Sequence, residues 1–101
     1  MKTERRKIEG NLEVSEPLQL YGTVTGNLTV KSGGLLVLYG TCAGDLAVEK
    51  GGEATIYGTV SGNLNNHGTV KHFGTIGGSV LPGDGTFENN ADAVVRGSAP
   101  A

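Results

Sequence analysis

The stretch that decides the fold is Tyr21-Gly22-Thr23-Val24-Thr25-Gly26-Asn27-Leu28-Thr29-Val30. Its first four residues return three times, at spacings of 18, 18 and 16 residues. The equivalent segments are Tyr39-Gly40-Thr41-Cys42, Tyr57-Gly58-Thr59-Val60 and Phe73-Gly74-Thr75-Ile76. A period of this length is the signature of a repeat architecture, in which each unit buries its apolar face against its neighbours.

A second motif, built on Gly-Asn-Leu, recurs in step with the first. Its five occurrences are Gly10-Asn11-Leu12, Gly26-Asn27-Leu28, Gly44-Asp45-Leu46, Gly62-Asn63-Leu64 and Gly78-Ser79-Val80. Because the two motifs keep the same order throughout, the chain divides into repeats of 16 to 18 residues.

Within each repeat the apolar residues lie two or four positions apart, which is the period of a β-strand and excludes a helix. Alignment of the repeats sorts these residues into five inward columns. The columns are Ile8, Val24, Cys42, Val60 and Ile76; Leu12, Leu28, Leu46, Leu64 and Val80; Val14, Val30 and Val48; Leu18, Leu36, Ala54 and Val70; and Leu20, Leu38 and Ile56. Such columns predict an all-β, single-domain, three-sided parallel β-helix of about five coils, with strands about 4.8 Å apart.

Polar positions repeat as well. One polar residue occupies the same place in every coil, and we expect these side chains to hydrogen-bond from coil to coil or to cap the corner backbone. They are Asn11, Asn27, Asp45, Asn63 and Ser79. The 16-residue repeats are expected to shorten one corner. Asn66 and His72 continue the third and fifth inward columns, so the regular core is expected to degrade near the carboxyl end.

Four segments are predicted along the chain. Residues 1–7 form a charged amino-terminal tail, residues 8–81 form the coils, residues 82–97 form an irregular carboxyl-terminal coil or cap, and residues 98–101 form a mobile tail. The register break at Pro82-Gly83-Asp84-Gly85 motivates the third boundary.

Length, composition and net charge limit the number of domains and the classes of partner that we expect. The 101 residues suffice for one domain, and the 18 glycines far exceed the usual share of about 7%. A net charge of −2 argues against nucleic acid as a partner and gives no indication of membrane association. One cysteine and no secretion signal or apolar span predict a cytoplasmic location.

The sequence contains no recognisable arrangement of catalytic or metal-binding residues. Cys42 belongs to an inward column of Val and Ile, which indicates a small buried side chain rather than a reactive thiol. His67 and His72 are five residues apart without further ligands, so they are interpreted as a corner and a strand residue. We therefore expect no enzymatic activity, no cofactor and no metal.

Two outward columns form a candidate partner-binding face. One is aromatic and the other is threonine, and the aromatic column either holds the coils in register or binds a partner. The residues are Tyr21, Tyr39, Tyr57 and Phe73, and Thr23, Thr41, Thr59 and Thr75. Ice-binding solenoids carry a second regular threonine rank. Here that rank is Thr25, Ala43, Ser61 and Gly77, so ice binding is a minor alternative.

The ends of a solenoid expose strand edges that pair with other chains unless they are capped or charged. The recurring G-x-V-x-G-[ND]-L-x-V units over residues 8–81 resemble those of bactofilins, the bacterial polymer-forming cytoskeletal proteins. The resemblance implies a right-handed, three-sided β-helix that polymerises end to end without nucleotide and acts as a scaffold.

Two functions follow as hypotheses. The first is a non-enzymatic structural protein whose main partner is itself, in end-to-end homo-oligomers or filaments. The alternative is a monomeric binding module, such as an immunity-type or adaptor protein, that presents the aromatic and threonine face to one protein partner.

Overall fold

The structure is a computed structural model, and it describes residues 2–81, 86–89 and 94–96. The described chain winds through three parallel β-sheets in turn, and it contains no helix. Each winding contributes one short strand to each sheet, so the architecture is a three-sided β-solenoid. The predicted fold class is confirmed.

The strands of each sheet follow one another in chain order. Sheet 1 holds Lys2–Glu4 (β1), Pro17–Leu20 (β3), Leu35–Leu38 (β6), Glu53–Ile56 (β9), Thr69–His72 (β12) and Thr86–Asn89 (β15). Sheet 2 holds Thr23–Val24 (β4), Thr41–Cys42 (β7), Thr59–Val60 (β10), Thr75–Ile76 (β13) and Val94–Val95 (β16). Sheet 3 holds Leu12–Val14 (β2), Leu28–Val30 (β5), Leu46–Val48 (β8), Leu64–Asn66 (β11) and Val80–Leu81 (β14).

The strand register reproduces the predicted columns. Leu28 lies opposite Leu46, for example, and Leu46 lies opposite Leu64. Every predicted column residue is buried except Ile8 and Leu12, which are half-buried at the amino-terminal end and pack against the core. Full burial of one leucine or isoleucine contributes about 1.5–3 kcal/mol, so these columns supply the main stabilisation of the solenoid.

The corner between sheets 3 and 1 absorbs the difference between the 16-residue and 18-residue repeats. The longer repeats make a turn there through Gly33 and Gly51, whose φ angles are 83° and 87°. This left-handed backbone region is available to glycine without a Cβ penalty. The shorter repeats cross the same corner without that turn, for example through Ser15 and Glu16. The prediction that one corner shortens is confirmed.

The corner between sheets 1 and 2 requires glycine because successive backbones approach closely there. A Cβ built on Gly58 would overlap the carbonyl oxygen of Gly40, and one on Gly40 would overlap that of Gly22. The amides of Tyr57 and Gly58 both donate to the carbonyl oxygen of Leu38, at 2.8 and 2.9 Å. Any side chain at the glycine position would therefore push adjacent coils apart.

Strands also lie in the segments predicted as an amino-terminal tail and as a carboxyl-terminal coil or cap. Lys2–Glu4, expected in a charged tail, forms β1 and pairs with β3. Within residues 82–97, predicted as an irregular carboxyl-terminal coil or cap, Thr86–Asn89 pairs with β12 and Val94–Val95 pairs with β13. Backbone pairing needs no apolar side chain, so Lys2–Glu4 continues sheet 1 although its sequence lacks the repeat pattern. Residues 82–85, 90–93 and 97–101, including the predicted mobile tail 98–101, lie outside the described residues.

Candidate functional site: the aromatic face and the amino-terminal end

The predicted aromatic column lies at the corner between sheets 1 and 2, and its rings stack along the solenoid. Ring centroids are 4.6 Å apart for Tyr21 and Tyr39, 5.2 Å for Tyr39 and Tyr57, and 5.1 Å for Tyr57 and Phe73. The planes of neighbouring rings deviate by 7° to 12°. We call these four residues the aromatic ladder, and the predicted stacking is confirmed.

The aromatic ladder is also the most exposed apolar feature of the described chain. Its members are between 38% and 50% exposed. Because their faces cover one another, the rings present mainly their edges and the tyrosine hydroxyls. Arg5 lies over the ring of Tyr21, with its guanidinium carbon 5.0 Å from the centroid, so a cation covers the first face. The stacking holds the coils in register, whereas its role as a partner face stays a prediction.

The threonine column runs beside the aromatic ladder on sheet 2. Thr23, Thr41, Thr59 and Thr75 lie opposite one another in strand register, and all four are half-buried. In the neighbouring rank, the Thr25 hydroxyl accepts from the amide of Gly10 at 3.0 Å and donates to the carbonyl of Ile8 at 3.4 Å. The Thr25 hydroxyl therefore links two adjacent coils. Ice binding stays a minor hypothesis.

The repeated polar position forms a hydrogen-bonded ladder, as predicted. The Asn11 side-chain oxygen accepts from the amide of Asn27 at 2.8 Å, and the same contact recurs in each later coil. The later contacts join Asn27 to Asp45 at 2.9 Å, Asp45 to Asn63 at 2.8 Å, and Asn63 to Ser79 at 2.9 Å. Each side chain thus satisfies a backbone amide of the next coil, which fixes the coil spacing.

Cys42, His67 and His72, the residues considered for catalysis or metal binding, lie in different parts of the solenoid. Cys42 is buried, burial raises the pKa of its thiol, and its sulfur lies 3.6 Å from the carbonyl oxygen of Asp45. His67 is exposed at a corner, whereas His72 is buried in the fifth column and Asn66 in the third. Among the described residues, no three His, Cys, Asp or Glu side chains lie close enough to hold one metal ion.

The amino-terminal end of the solenoid carries a second candidate site. A cavity of about 150 Å³ opens there beneath β1. Its lining is partly apolar and partly polar or charged: the apolar residues are Ile8, Leu12, Val14, Pro17 and Leu18, and the polar or charged residues are Lys2, Glu4, Glu13, Ser15 and Glu16. Leu12–Val14, the first strand of sheet 3, has a described neighbour on one side, so its other edge faces this end.

Charged side chains occupy the inward columns at this end. Lys2 lies opposite Leu18, and Glu4 lies opposite Leu20. Glu4 accepts a hydrogen bond from Arg6 Nε at 3.1 Å, and this contact holds the pKa of the Glu4 carboxyl below its usual value. The amide of Tyr21 in turn donates to the Glu4 carbonyl at 2.8 Å.

Sequence reasoning missed this strand and the contact of Arg5 with the aromatic ladder. Residues 2–4 carry no glycine motif and no apolar alternation, so the repeat pattern gives no signal before Ile8. At the other end a signal does exist, because Gly68-Thr69-Val70 returns as Gly85-Thr86-Phe87. This recurrence would have identified Thr86–Asn89 as a further strand of sheet 1.

Comparisons with protein-family models, with curated proteins and with solved structures find no match to this chain. The β-solenoid is therefore established by the structure, while the bactofilin resemblance remains a prediction. None of the described residues forms a helix long and apolar enough to cross a membrane.

Proposed function

We propose that this chain is a non-enzymatic structural protein that self-assembles through its terminal coils, as bactofilins do. The observation that carries the proposal is the amino-terminal end, where the first strand of sheet 3 borders a cavity lined in part by apolar side chains. Strand edges beside apolar surface pair readily with other chains. The cytoplasmic location and the bactofilin relationship stay predictions from the sequence.

The repeat itself supports a second copy as the partner. Each internal coil boundary joins one set of columns to a nearly identical set, as Leu28 joins Leu46 and Leu46 joins Leu64. The exposed face of a terminal coil is therefore of the kind that packs against another coil of the same sequence. Contacts between unlike ends extend into filaments, and contacts between like ends close into dimers.

Electron microscopy and sedimentation of the purified chain, with and without nucleotide, test this proposal. We expect concentration-dependent dimers or filaments that do not require nucleotide. Leu12→Arg, which places a charge in the end cavity, should abolish assembly while the circular dichroism of the chain is retained. Thr29→Arg, on the outward side of the neighbouring strand, is the matched control and should assemble normally. A wild-type chain that stays monomeric at high concentration would refute the proposal.

The exposed aromatic ladder favours a second candidate function, a monomeric module that binds one protein partner. Aromatic side chains dominate interface hot spots, and this strip rests on a rigid sheet corner. Replacement of both Tyr39 and Tyr57 by serine should then abolish partner capture and preserve the β-sheet circular dichroism, while Leu12→Arg should leave capture intact. Loss of the sheet signal in the double-serine variant would assign the aromatic ladder a structural role and remove the support for this candidate.

A further inference from the structure

The first strand of sheet 1 has a composition that no other described strand of that sheet shares. Its two inward positions hold Lys2 and Glu4, which stand over Leu18 and Leu20. In the next three strands of sheet 1 the same two columns contain only Leu, Ala and Ile. Inward charges on an edge strand are a known means of blocking edge-to-edge pairing, because a strand added there would bury them.

The side-chain contacts that hold this strand are few and exposed. The Thr3 hydroxyl donates to the Gln19 side chain at 3.3 Å. Glu4, whose side chain is 15% exposed, pairs with the Arg6 side chain, which is 86% exposed. Lys2 is itself exposed. Exposed hydrogen bonds and ion pairs contribute little stability, so β1 should open more easily than the strands that bury apolar columns.

β3, the strand that β1 covers, has apolar inward residues in place of charged ones. Displacement of Lys2–Glu4 would uncover the edge of β3, with Leu18 and Leu20 pointing inward, next to the apolar lining of the end cavity. On its other edge, β3 already pairs Leu18 with Leu36 and Leu20 with Leu38. The uncovered edge of β3 would therefore offer a second copy the same kind of interface that adjacent coils form within the chain.

We propose that Lys2–Glu4 is a removable cap that holds back assembly, and that the edge of β3 beneath it accepts a terminal coil of a second copy. This inference rests on the proposed function and adds its regulation. The cap and the second copy compete for one strand edge, so the apparent affinity is the intrinsic affinity multiplied by the fraction of molecules in which the cap is displaced.

Three variants of the full chain test the cap. The first lacks residues 2–6, and the second, Lys2→Leu with Glu4→Leu, keeps β1 and removes its inward charges. The third, Thr3→Leu, adds a leucine to the same strand at its outward position and serves as the matched control. Circular dichroism verifies the fold of each variant, and sedimentation at increasing concentration measures assembly.

We expect the deletion to assemble at a concentration about tenfold lower than the wild type, and Thr3→Leu to behave as the wild type. The double-leucine variant packs apolar side chains over Leu18 and Leu20 and holds the cap more firmly, so it should assemble at a higher concentration than the wild type. Assembly of this variant below the wild-type concentration would place the second copy on β1 itself and overturn the cap. If the deletion does not fold, the double-leucine variant decides the question. Assembly of all chains at the same concentration would overturn the cap and leave the proposed function standing. Chains that all remain monomeric would overturn both.

Discussion

The middle coils and the first strand share one backbone arrangement and differ in what fills it. In β6 to β8 the inward residues Leu36, Leu38, Cys42, Leu46 and Val48 are fully buried. In β1 the inward positions hold Lys2 and Glu4, although the strand pairs in register with its neighbour in the same way. Strand pairing therefore propagates to the end of the sheet, whereas the apolar columns do not. Strand register and stabilisation by apolar packing are therefore separate properties of this solenoid.

The largest effect is expected where a charge is forced into a middle column. Leu46→Asp places a carboxylate among Leu28, Leu64 and other apolar side chains with no cation to pair with it. An unpaired buried charge costs more than the stability of a small domain, so we expect the variant to be unfolded by circular dichroism. Ala47→Asp, on the outward side of the same strand, should fold. A folded, cooperative Leu46→Asp protein would contradict the inward assignment.

The next effect concerns the close approach of adjacent coils. Gly58→Ala adds a methyl group that overlaps the carbonyl oxygen of Gly40, and a backbone atom cannot move aside as a flexible side chain can. We expect a loss of about 3 kcal/mol in the free energy of unfolding, measured by denaturant titration. Ser61→Ala, at an exposed turn position three residues later, should change it little. Equal stability of the two variants would show that the coils tolerate wider spacing.

The polar ladder should contribute less. Asp45→Ala removes the oxygen that accepts the amide of Asn63, and we expect a loss of about 1–2 kcal/mol in thermal or chemical denaturation. Asp45→Asn keeps an oxygen in the same position and repeats the residue of the neighbouring coils, so it should retain most of the stability. A neutral Asp45→Ala substitution would mean that water replaces the ladder contact.

The smallest effect is expected on the surface. Lys31 lies 3.2 Å from a carboxylate oxygen of Glu13 and 3.2 Å from one of Glu49, and these two carboxylates raise the pKa of its amine. All three side chains remain substantially exposed, so solvent screens the pairs. Lys31→Met should leave the melting temperature almost unchanged. A drop comparable to that of Asp45→Ala would show that this cluster holds the coils together.

Much of the fold could be predicted from the sequence because one pattern repeats with little variation. The columns through Leu28 and Leu46, the polar ladder and the burial of Asn66 and His72 all follow from alignment of the repeats. β1 could not be predicted, because its pairing depends on backbone groups and leaves no side-chain signature. The aromatic ladder could also be predicted, and its stacking explains the aromatic column whether or not a partner binds there.

The middle coils bury their inward side chains completely, whereas Lys2–Glu4, the proposed cap, is held by few side-chain contacts. Hydrogen exchange of the full chain, measured below the concentration of assembly, compares the stability of these two regions. The amide of Tyr57, which donates to Leu38, should exchange slowly. The amide of Tyr21, which donates to Glu4 of the cap, should be protected only about tenfold relative to open backbone. Equal protection of these two amides would contradict the account.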